Sequence, residues 1–541
     1  MYTILLILFI FSFMFAFHYK SKRSLHMLQS NLYNENNRYL KWVMKNKKEL
    51  LGFDLISLLF SIIGLFVLED NNNLFYLLVL IVMICNCLVG YTWYRNIKNG
   101  QYKKPLVVTK RIKRLIVTNT ILNVIPLILL FMHINDCRYS IIMILVLCVM
   151  LVLNYFVVFI ACMINMPIEK LVYLYYKTKA QNKLKSINGL KIIGITGSYG
   201  KTSSKNILSD ILNIKYNALP TPRNLNTYNG LIMTVNNHMD KFTDIFIAEM
   251  GAYVKGEIAG LCRLIKPQYG ILTRIGTAHL ATFGSQENIQ KTKFELIESL
   301  PSDGIGILNG DDPKQVNYKL KNSVRTIWIG IDNKDVDVRA TNIKCDGKGT
   351  SFDVEFKGQD KKYHFETRLL GKHNVYNILA GIACGVEFDI EMESLIEAVR
   401  GVRPVEHRLE LKKLYNFYMI DDAYNSNPVG AANAVEVLGM MDGIKVVVTP
   451  GMIELGDKED EYNKEFGVQI SKVADYAVLI GEEKTKTIKE GLLDGKFDKE
   501  KIIVFNDVRD AFPFIKKLVD NNKKEVYALF ENDLPDTYNE E

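Results

Sequence analysis

Five long apolar runs crowd the first 165 of 541 residues, at about 2–17, 51–68, 74–94, 115–134 and 139–165. No other feature restricts this chain as strongly. In hydrocarbon every backbone N–H and C=O must find its partner inside the protein, so runs of this kind are confined to helices. A span takes about 20 apolar residues, within a range of about 17–25. The first run is short, but no charged segment precedes it and no small-residue cleavage site follows. It therefore reads as a span and not as a signal peptide. Five spans are expected.

Loop charge gives their orientation. Residues 18–50 carry Lys20, Lys22, Arg23, Arg38, Lys41, Lys45, Lys47 and Lys48, and residues 95–114 carry eight Lys/Arg and no acid. The intervening loops are "EDNNN" (69–73) and "NDCR" (135–138). Basic loops stay in the cytoplasm. The N-terminus is thus expected outside and residues 166–541 inside, in a multi-pass protein of the cell membrane. The net charge of +8 gathers beside the apolar runs, which gives no reason to invoke nucleic acid. Asn86, Asn119, Asn123, Asn154 and Asp54 interrupt the runs. Either they hydrogen-bond between helices or they line a lipid-head or substrate groove. Eight cysteines with no CxxC pair suggest reduced thiols and no structural zinc.

Beyond the runs, "INMPIEKLVYLYYKTKAQNKLK" (164–185) is basic and amphipathic. It reads either as a helix along the membrane surface or as a plain connecting helix. "KIIGIT" (191–196) then reads as a strand, "GSYG" as a loop, and "KTSSKNILSDIL" (201–212) as a helix. That order suits a phosphate loop. Gly197, Ser198 and Gly200 let backbone N–H groups approach phosphate oxygens; Lys201 brings charge, Thr202 a hydroxyl for magnesium, and Ser203 follows. The spacing departs from a strict Walker motif, with Ile195 where a glycine is usual. Two more apolar strands, "DIFIAEMGA" (244–252) and "YGILTRIGTAHL" (269–280), end near Glu249 and His279. In a parallel sheet ligands gather at the carboxyl ends of strands. Lys201, Thr202, Glu249 and His279 are therefore expected on one edge, with oxygen and imidazole donors suited to magnesium.

Seven motifs then occur in order: "GITGSYGKTS", "AEMGAYVKGEI", "TRIGTAHLATFGS", "GKHNVYNILAG", "PVEHRLE", "DDAYNSNP" and "GMIELG". Over residues 194–456 the chain resembles the Mur ligases, most closely the MurF type (UDP-N-acetylmuramoyl-tripeptide–D-alanyl-D-alanine ligase), which adds a dipeptide to a cell-wall precursor. The resemblance implies ATP-dependent amide formation through an acyl phosphate and two magnesium ions, the first served by Thr202 and Glu249, the second by His279. It implies that Lys293 in "IQKTKFELIESL" is a metal-side lysine modified by carbon dioxide, with Lys291 as the neighbouring alternative. Lys201, Lys293 and His279 form the implied catalytic set. Asn374 and Asn377 match the segment that holds adenine, and His373 either shares that role or packs. Arg408 matches an arginine that reaches the ATP phosphates from the third domain, and Asp422 an aspartate that contacts ribose or orients ATP; Tyr424 and Asn425 follow in the same turn. Asn224 and Asn226 in "TPRNLNTYNG" match the loop that faces the acceptor.

The implied architecture is a helical membrane domain (1–165), a linker helix (166–189), a central ATP-binding P-loop domain (190–402) and a Rossmann-like C-terminal domain (403–541). The strands "TIWIGI", "DVRATNIKC", "TSFDVEF" and "KYHFETRLL" (326–370) add β structure to the central domain. The C-terminal strands are "FYMI", "KVVVT", "YAVLI", "KIIVF" and "VYALF". The chain also departs from the family. Membrane spans replace the small domain that grips a UDP-sugar. Pro450-Gly451 precedes "MIELG", Asn463 stands where a histidine is expected, and the end "ALFENDLPDTYNEE" replaces a Lys-Gly-Ser segment. The acceptor is then either UDP-linked or lipid-linked, and the co-substrate an amino acid or a dipeptide. The other readings are a poly-glutamate-type envelope polymer ligase, a catalytically silent scaffold of wall synthesis, or a transporter powered by this ATP domain; five spans with few charges, and no second ATPase signature, argue against the transporter.

Overall fold

The computed structural model describes residues 2–67, 72–100, 105–132, 136–276, 280–346, 349–414, 416–423, 427–453, 455 and 458–532. They form two units, Met1–Tyr175 and Tyr176–Glu541.

The first unit is helical. Its apolar helices are α1 (Tyr2–Ser30), α2 (Phe53–Val67), α3 (Asn72–Asn99), α4 (Lys110–Met132), α5 (Cys137–Val152) and α6 (Asn154–Ser186), the last continuing into the second unit. By length and composition four of them, α1, α3, α4 and α6, can cross a membrane; α2 and α5 are shorter, at 15 and 16 residues. Of the five runs expected to span, 139–165 breaks at Leu153 into α5 and α6, and 51–68 gives the short α2. Only Asn154, the first residue of α6, marks the break in the sequence. One core takes residues from α1 to α5, among them Phe9, Phe13, Phe75, Val79, Leu130 and Leu147. The start of α6 joins a different cluster, where Tyr155, Val158 and Cys162 meet Leu25, Leu28, Tyr39 and Val43. Five helices thus share one core, and α6 begins beside the basic segment 18–50.

Polar groups in this unit pair between helices. Lys20 lies 2.5 Å from Asp54, both buried. Ser57 donates to Asn86 at 2.9 Å. Asn154 and Asn119 donate to Ser21 at 2.9 and 3.2 Å, and Ser24 donates to Asn154 at 2.6 Å. Asn123 donates within its own helix to the Asn119 carbonyl.

The segment 164–185 is not a separate helix, since it lies inside α6 with Pro167 in its interior. Its final turns do not lie free. Ala180, Leu184 and Ile187 join the core of the second unit, and Asn236 donates to the Tyr176 carbonyl at 2.9 Å.

The second unit carries two sheets. The first has nine strands: β1 (Lys191–Thr196), β2 (Ala218–Pro220), β3 (Ile245–Glu249), β4 (Tyr269–Leu272), β5 (Ile305–Asn309), β6 (Arg325–Gly330), β7 (Val338–Asp346), β8 (Gly349–Phe356) and β9 (Lys362–Thr367). Their order is β2-β3-β1-β4-β5-β6-β7-β8-β9. Pairing is parallel from β2 to β7 and antiparallel at the β7–β8–β9 end. The segment 326–370 therefore extends the central sheet. β1 and β3 are buried on both faces, which is why they read as unbroken apolar runs. Helices α7 (Lys201–Leu212) and α11 (Lys372–Glu387) cover one face; α8 (Tyr228–Asn237), α9 (Glu257–Ile265) and α10 (Gln286–Glu298) cover the other.

The second sheet has six strands in the order β10-β11-β15-β12-β13-β14. These are β10 (Glu410–Leu414), β11 (Phe417–Asp422), β12 (Ile444–Thr449), β13 (Tyr476–Ile480), β14 (Ile502–Phe505) and β15 (Val526–Glu531). All pairs are parallel except β10–β11. Helix α12 (Pro428–Gly439) packs on one face.

Candidate active site

The site begins where β1 turns into α7. Gly197 has φ 156°, and a Cβ there would lie 1.9 Å from Thr273 Oγ1. That hydroxyl is fixed, donating to the Thr196 and Tyr199 carbonyls at 3.2 and 2.7 Å. Gly200 caps α7 in the left-handed region, with φ 80°. The loop thus needs glycine at both turns, and it lines a cavity of about 650 Å³ at the carboxyl ends of the strands, with Ser198 N–H donating to the Arg274 carbonyl at 2.9 Å. Ser198, Lys201, Thr202 and Ser203 line it. The Lys201 ammonium folds back onto its own loop, donating to Gly197 O at 2.8 Å and Ser198 O at 3.1 Å. Burial lowers its pKa, Glu249 opposes that, and Arg408 adds to it.

In register with β1, β3 brings Glu249 opposite Ile195. Thr202 Oγ1 lies 3.2 and 3.1 Å from the two Glu249 oxygens. Asn226 donates to Glu249 Oε1 at 3.0 Å. Asn224, in the same loop, is exposed, and its carbonyl accepts from Asn226 N–H. His279, Tyr424 and Asn425 lie outside the described residues.

Lys293 on α10 is 3% exposed, with its ammonium 5.8 Å from the centre of the Phe283 ring. Burial pushes its pKa down to about 7, and the Lys201 charge adds to that against Glu257 and Glu295. The neighbouring Lys291 is half-buried and paired with the exposed Glu287 at 2.6 Å, which fits a surface lysine.

Helix α11, capped by Gly371, lines the far wall. Asn374 donates to the Leu370 carbonyl at 2.9 Å, and Asn377 to Asn374 at 3.4 Å. Burial lowers the pKa of His373 to about 4, so a neutral imidazole faces the cavity at neutral pH. From the C-terminal sheet comes Asp422, at the end of β11, and from the segment before β10 comes Arg408, both lining the same cavity. Burial raises the pKa of Asp422, against a hydrogen bond with Glu531 and the Arg408 charge.

Sequence reasoning missed the end of β5. Asp311 accepts from the N–H groups of Ile331, Asp332 and Asn333 at 2.5, 3.1 and 2.6 Å, and from Tyr376 OH at 2.7 Å. It ties the β6 exit to α11 along the cavity wall. The only local signal is "ILNGDD" after an apolar run.

Two family models match this chain: the Mur ligase middle domain over residues 195–385 and the Mur ligase glutamate ligase domain over residues 407–524. The UDP-N-acetylmuramoyl-tripeptide–D-alanyl-D-alanine ligase of Bacillus subtilis (strain 168) is 34% identical over 333 residues, covering 61% of this chain and 70% of that one. The chain belongs to the Mur ligase family. The ligase of the same name from Escherichia coli (strain K12) is 31% identical over 279 residues, covering 51% of this chain and 61% of that one. Among solved structures, MurF from Acinetobacter baumannii aligns with a TM-score of 0.59 and 26% identity, over 67% of this chain and 77% of that one. The MurF ligase of Thermotoga maritima in complex with ADP aligns with a TM-score of 0.58 and 26% identity, over 67% and 80%.

In this Mur ligase one family departure has a clear structural role. Asn463 is buried, and its amide both accepts from Met452 N–H and donates to Met452 O, each at 2.9 Å. It pins the turn at Gly451, whose φ is 88°.

Proposed function

We propose that this Mur ligase is a membrane-anchored, ATP-dependent amide ligase that adds an amino acid or dipeptide to a cell-wall precursor. One observation carries the reading: a glycine-turned phosphate loop with Thr202 against the buried Glu249 carboxylate shares one cavity with Asp422 of the second sheet and Arg408 just before it.

The donors fit magnesium and ATP. Thr202 and Glu249 offer oxygens, which magnesium prefers, and the Gly197 turn leaves no room for a Cβ beside Thr273. Magnesium held there supplies charge neutralisation at the phosphates. His279 is assigned to a second ion. Lys201 is assigned to the phosphate oxygens, once it releases its own loop carbonyls. Asn374 and Asn377 are assigned to the adenine side, Arg408 to the phosphates and Asp422 to the ribose side. Asn226, and with it Asn224, is assigned to the acceptor loop. In the reaction an acceptor carboxylate oxygen attacks the γ-phosphorus and ADP leaves. The incoming amine then attacks the acyl carbon, its C–O bond to phosphate breaks, and the nitrogen loses a proton as phosphate departs. The protein's work is alignment and charge neutralisation.

The neutral amine of Lys293 is the form that reacts with carbon dioxide, so its burial and lowered pKa support a carbamate on the metal side. The apolar helices of the first unit and the basic segments 18–50 and 95–114 support insertion with the N-terminus outside and the ligase domains in the cytoplasm. A unit of apolar helices also favours a lipid-linked acceptor over a soluble UDP-linked one. The retained Lys201, Glu249 and Lys293 disfavour a silent scaffold, and the MurF-named relatives disfavour a polymer ligase.

The test is phosphate release from ATP by the full-length protein in detergent, with UDP-linked and lipid-linked peptide acceptors crossed against amino acids and dipeptides. Acceptor-dependent release that disappears in Lys293→Ala is expected. Release only with lipid-linked acceptors supports the membrane substrate, and equal release with UDP-linked ones makes the helices a tether. No acceptor-dependent release refutes the ligase reading.

A further inference from the structure

Lys205 lies on α7, one turn beyond Thr202, and is 1% exposed. Its ammonium is 3.0 Å from Glu249 Oε2 and donates to the Arg223 carbonyl at 2.6 Å. Glu249 is 2% exposed and accepts from Thr202 and Asn226 as well. Three parts of the fold therefore meet at one carboxylate: the phosphate-loop helix, the end of β3 and the loop 221–226. The loop is built to receive the lysine. Arg223 sits in the left-handed region with φ 49°, unusual for a residue with a Cβ. Both loop ends are fixed, since Thr221 Oγ1 accepts from Glu249 N–H at 3.1 Å and Asn226 O accepts from Gly251 N–H at 2.8 Å. A Cβ on Gly251 would come within 3.0 Å of the Asn226 amide, so the loop presses directly on the strand end.

We propose that Lys205 is a positioning residue that couples the acceptor-side loop to the metal carboxylate. The inference rests on the magnesium and acceptor assignments made above. Its logic is electrostatic. A buried carboxylate needs a counter-charge, and Lys205 provides one. A divalent cation on Glu249 repels the ammonium that shares the carboxylate. A buried ammonium has no water to turn to, so the Arg223 carbonyl becomes its main partner. Metal arrival is thereby felt by the backbone of loop 221–226, and the acceptor loop tightens only when the phosphate site is charged. Without the lysine, Glu249 keeps Thr202 and Asn226 but loses its link to Arg223.

The experiment is hydrogen exchange on the full-length protein in detergent, with a non-hydrolysable ATP analogue and a magnesium titration, and no acceptor. In the wild type, the amides of 221 and 223–227 are expected to gain protection with magnesium, alongside the phosphate-loop amides 197–203. In Lys205→Met the phosphate loop still responds, while loop 221–227 exchanges roughly tenfold faster and no longer follows magnesium. Half-saturation by magnesium moves to lower concentration, because a competing cation is gone. Lys205→Arg restores the loop response at least in part. A wild-type loop indifferent to magnesium overturns the proposal whether or not any variant folds. So does a Lys205→Met protein whose loop still follows the metal, or one in which α7 and the loop open together, the mark of a merely structural lysine. Because no acceptor is present, failure of the amide-ligase reading appears separately, in the phosphate-release assay.

Discussion

Replacing Lys293 with methionine should stabilise the protein while abolishing its activity. Lys293 is buried in an apolar wall beside Phe283, and its pKa falls from the ordinary 10.5 to about 7. The folded state therefore binds fewer protons than the unfolded chain between pH 7 and 10.5. Stability of the wild type must rise with pH across that window, by at most about 1.4 kcal/mol per unit. At pH 7 the accumulated cost of enclosing the amine is about 4 kcal/mol; it vanishes above pH 10.5 and is constant below pH 7. Methionine has a similar shape and no charge, so Lys293→Met should gain roughly 2–4 kcal/mol at pH 7, less at each higher pH. The assay is urea unfolding of the full-length protein in detergent, followed by pulse proteolysis from pH 6.5 to 9.5 in carbonate-free buffer. Bicarbonate should then stabilise the wild type and leave Lys293→Met unmoved, since only the lysine can bind carbon dioxide. Parallel stability curves for the two proteins, or a less stable methionine variant, would refute the argument from burial. Identical behaviour with and without bicarbonate would refute the carbamate.

Three further outcomes are expected. Gly197→Ala drives a Cβ against Thr273 Oγ1, whose two hydrogen bonds hold it in place; stability should fall by about 1–3 kcal/mol and nucleotide affinity by tenfold or more. Titration calorimetry measures this, and Thr273→Ala should restore part of the loss only in the Gly197→Ala background. Arg408→Ala removes the second domain's cation from the cavity, so the KM for ATP should rise about tenfold or more while the melting temperature stays nearly fixed. Asp54→Asn strands the buried Lys20 ammonium and should cost about 3–5 kcal/mol in denaturation of the detergent-solubilised protein, whereas the double variant Lys20→Met/Asp54→Leu should recover most of it.

Some of this was legible in the residues and some was not. Strands β1, β3, β12 and β13 are covered on both sides by helices, so their sequences are nearly pure β-branched and apolar runs. Strand β5 is equally buried, but "IGILN" has a glycine inside it and Gly/Asp pairs on both sides, and it carries no motif that draws attention to it. Strands β2 and β10 lie at sheet edges; one has three residues and ends in proline, and the other is "ELKKL". Edges need no apolar face, and so leave no pattern. Thr202 and Glu249 could be paired from motif order and strand ends. Lys205 could not, because a lysine on a helix ordinarily reaches water, and only the tertiary approach of loop 221–226 encloses it. The role of Asp311 is equally nonlocal: the amides it accepts from lie 20 or more residues away. The break at Leu153 left only Asn154 as a mark, a single polar residue with apolar sequence on both sides.

The pairing of a membrane unit with a ligase has a physical logic on the proposed reading. A Mur ligase must hold a large precursor while its carboxylate is activated, and the two matched domains supply the activation side, residues 195–385 and 407–524. An acceptor in the same bilayer meets the enzyme in two dimensions, and tethering both partners raises effective concentration without a single new contact. A strong grip on the precursor's distant end then becomes unnecessary. What remains necessary is that the reacting end be placed correctly once ATP and metal are in position, and that burden falls on loop 221–226. A loop whose order depends on a cation at Glu249 keeps a concentrated acceptor from occupying an unloaded site. The buried Lys205 bridge and the helical first unit are thus complementary: one relaxes the demand for affinity, and the other restores the order of events.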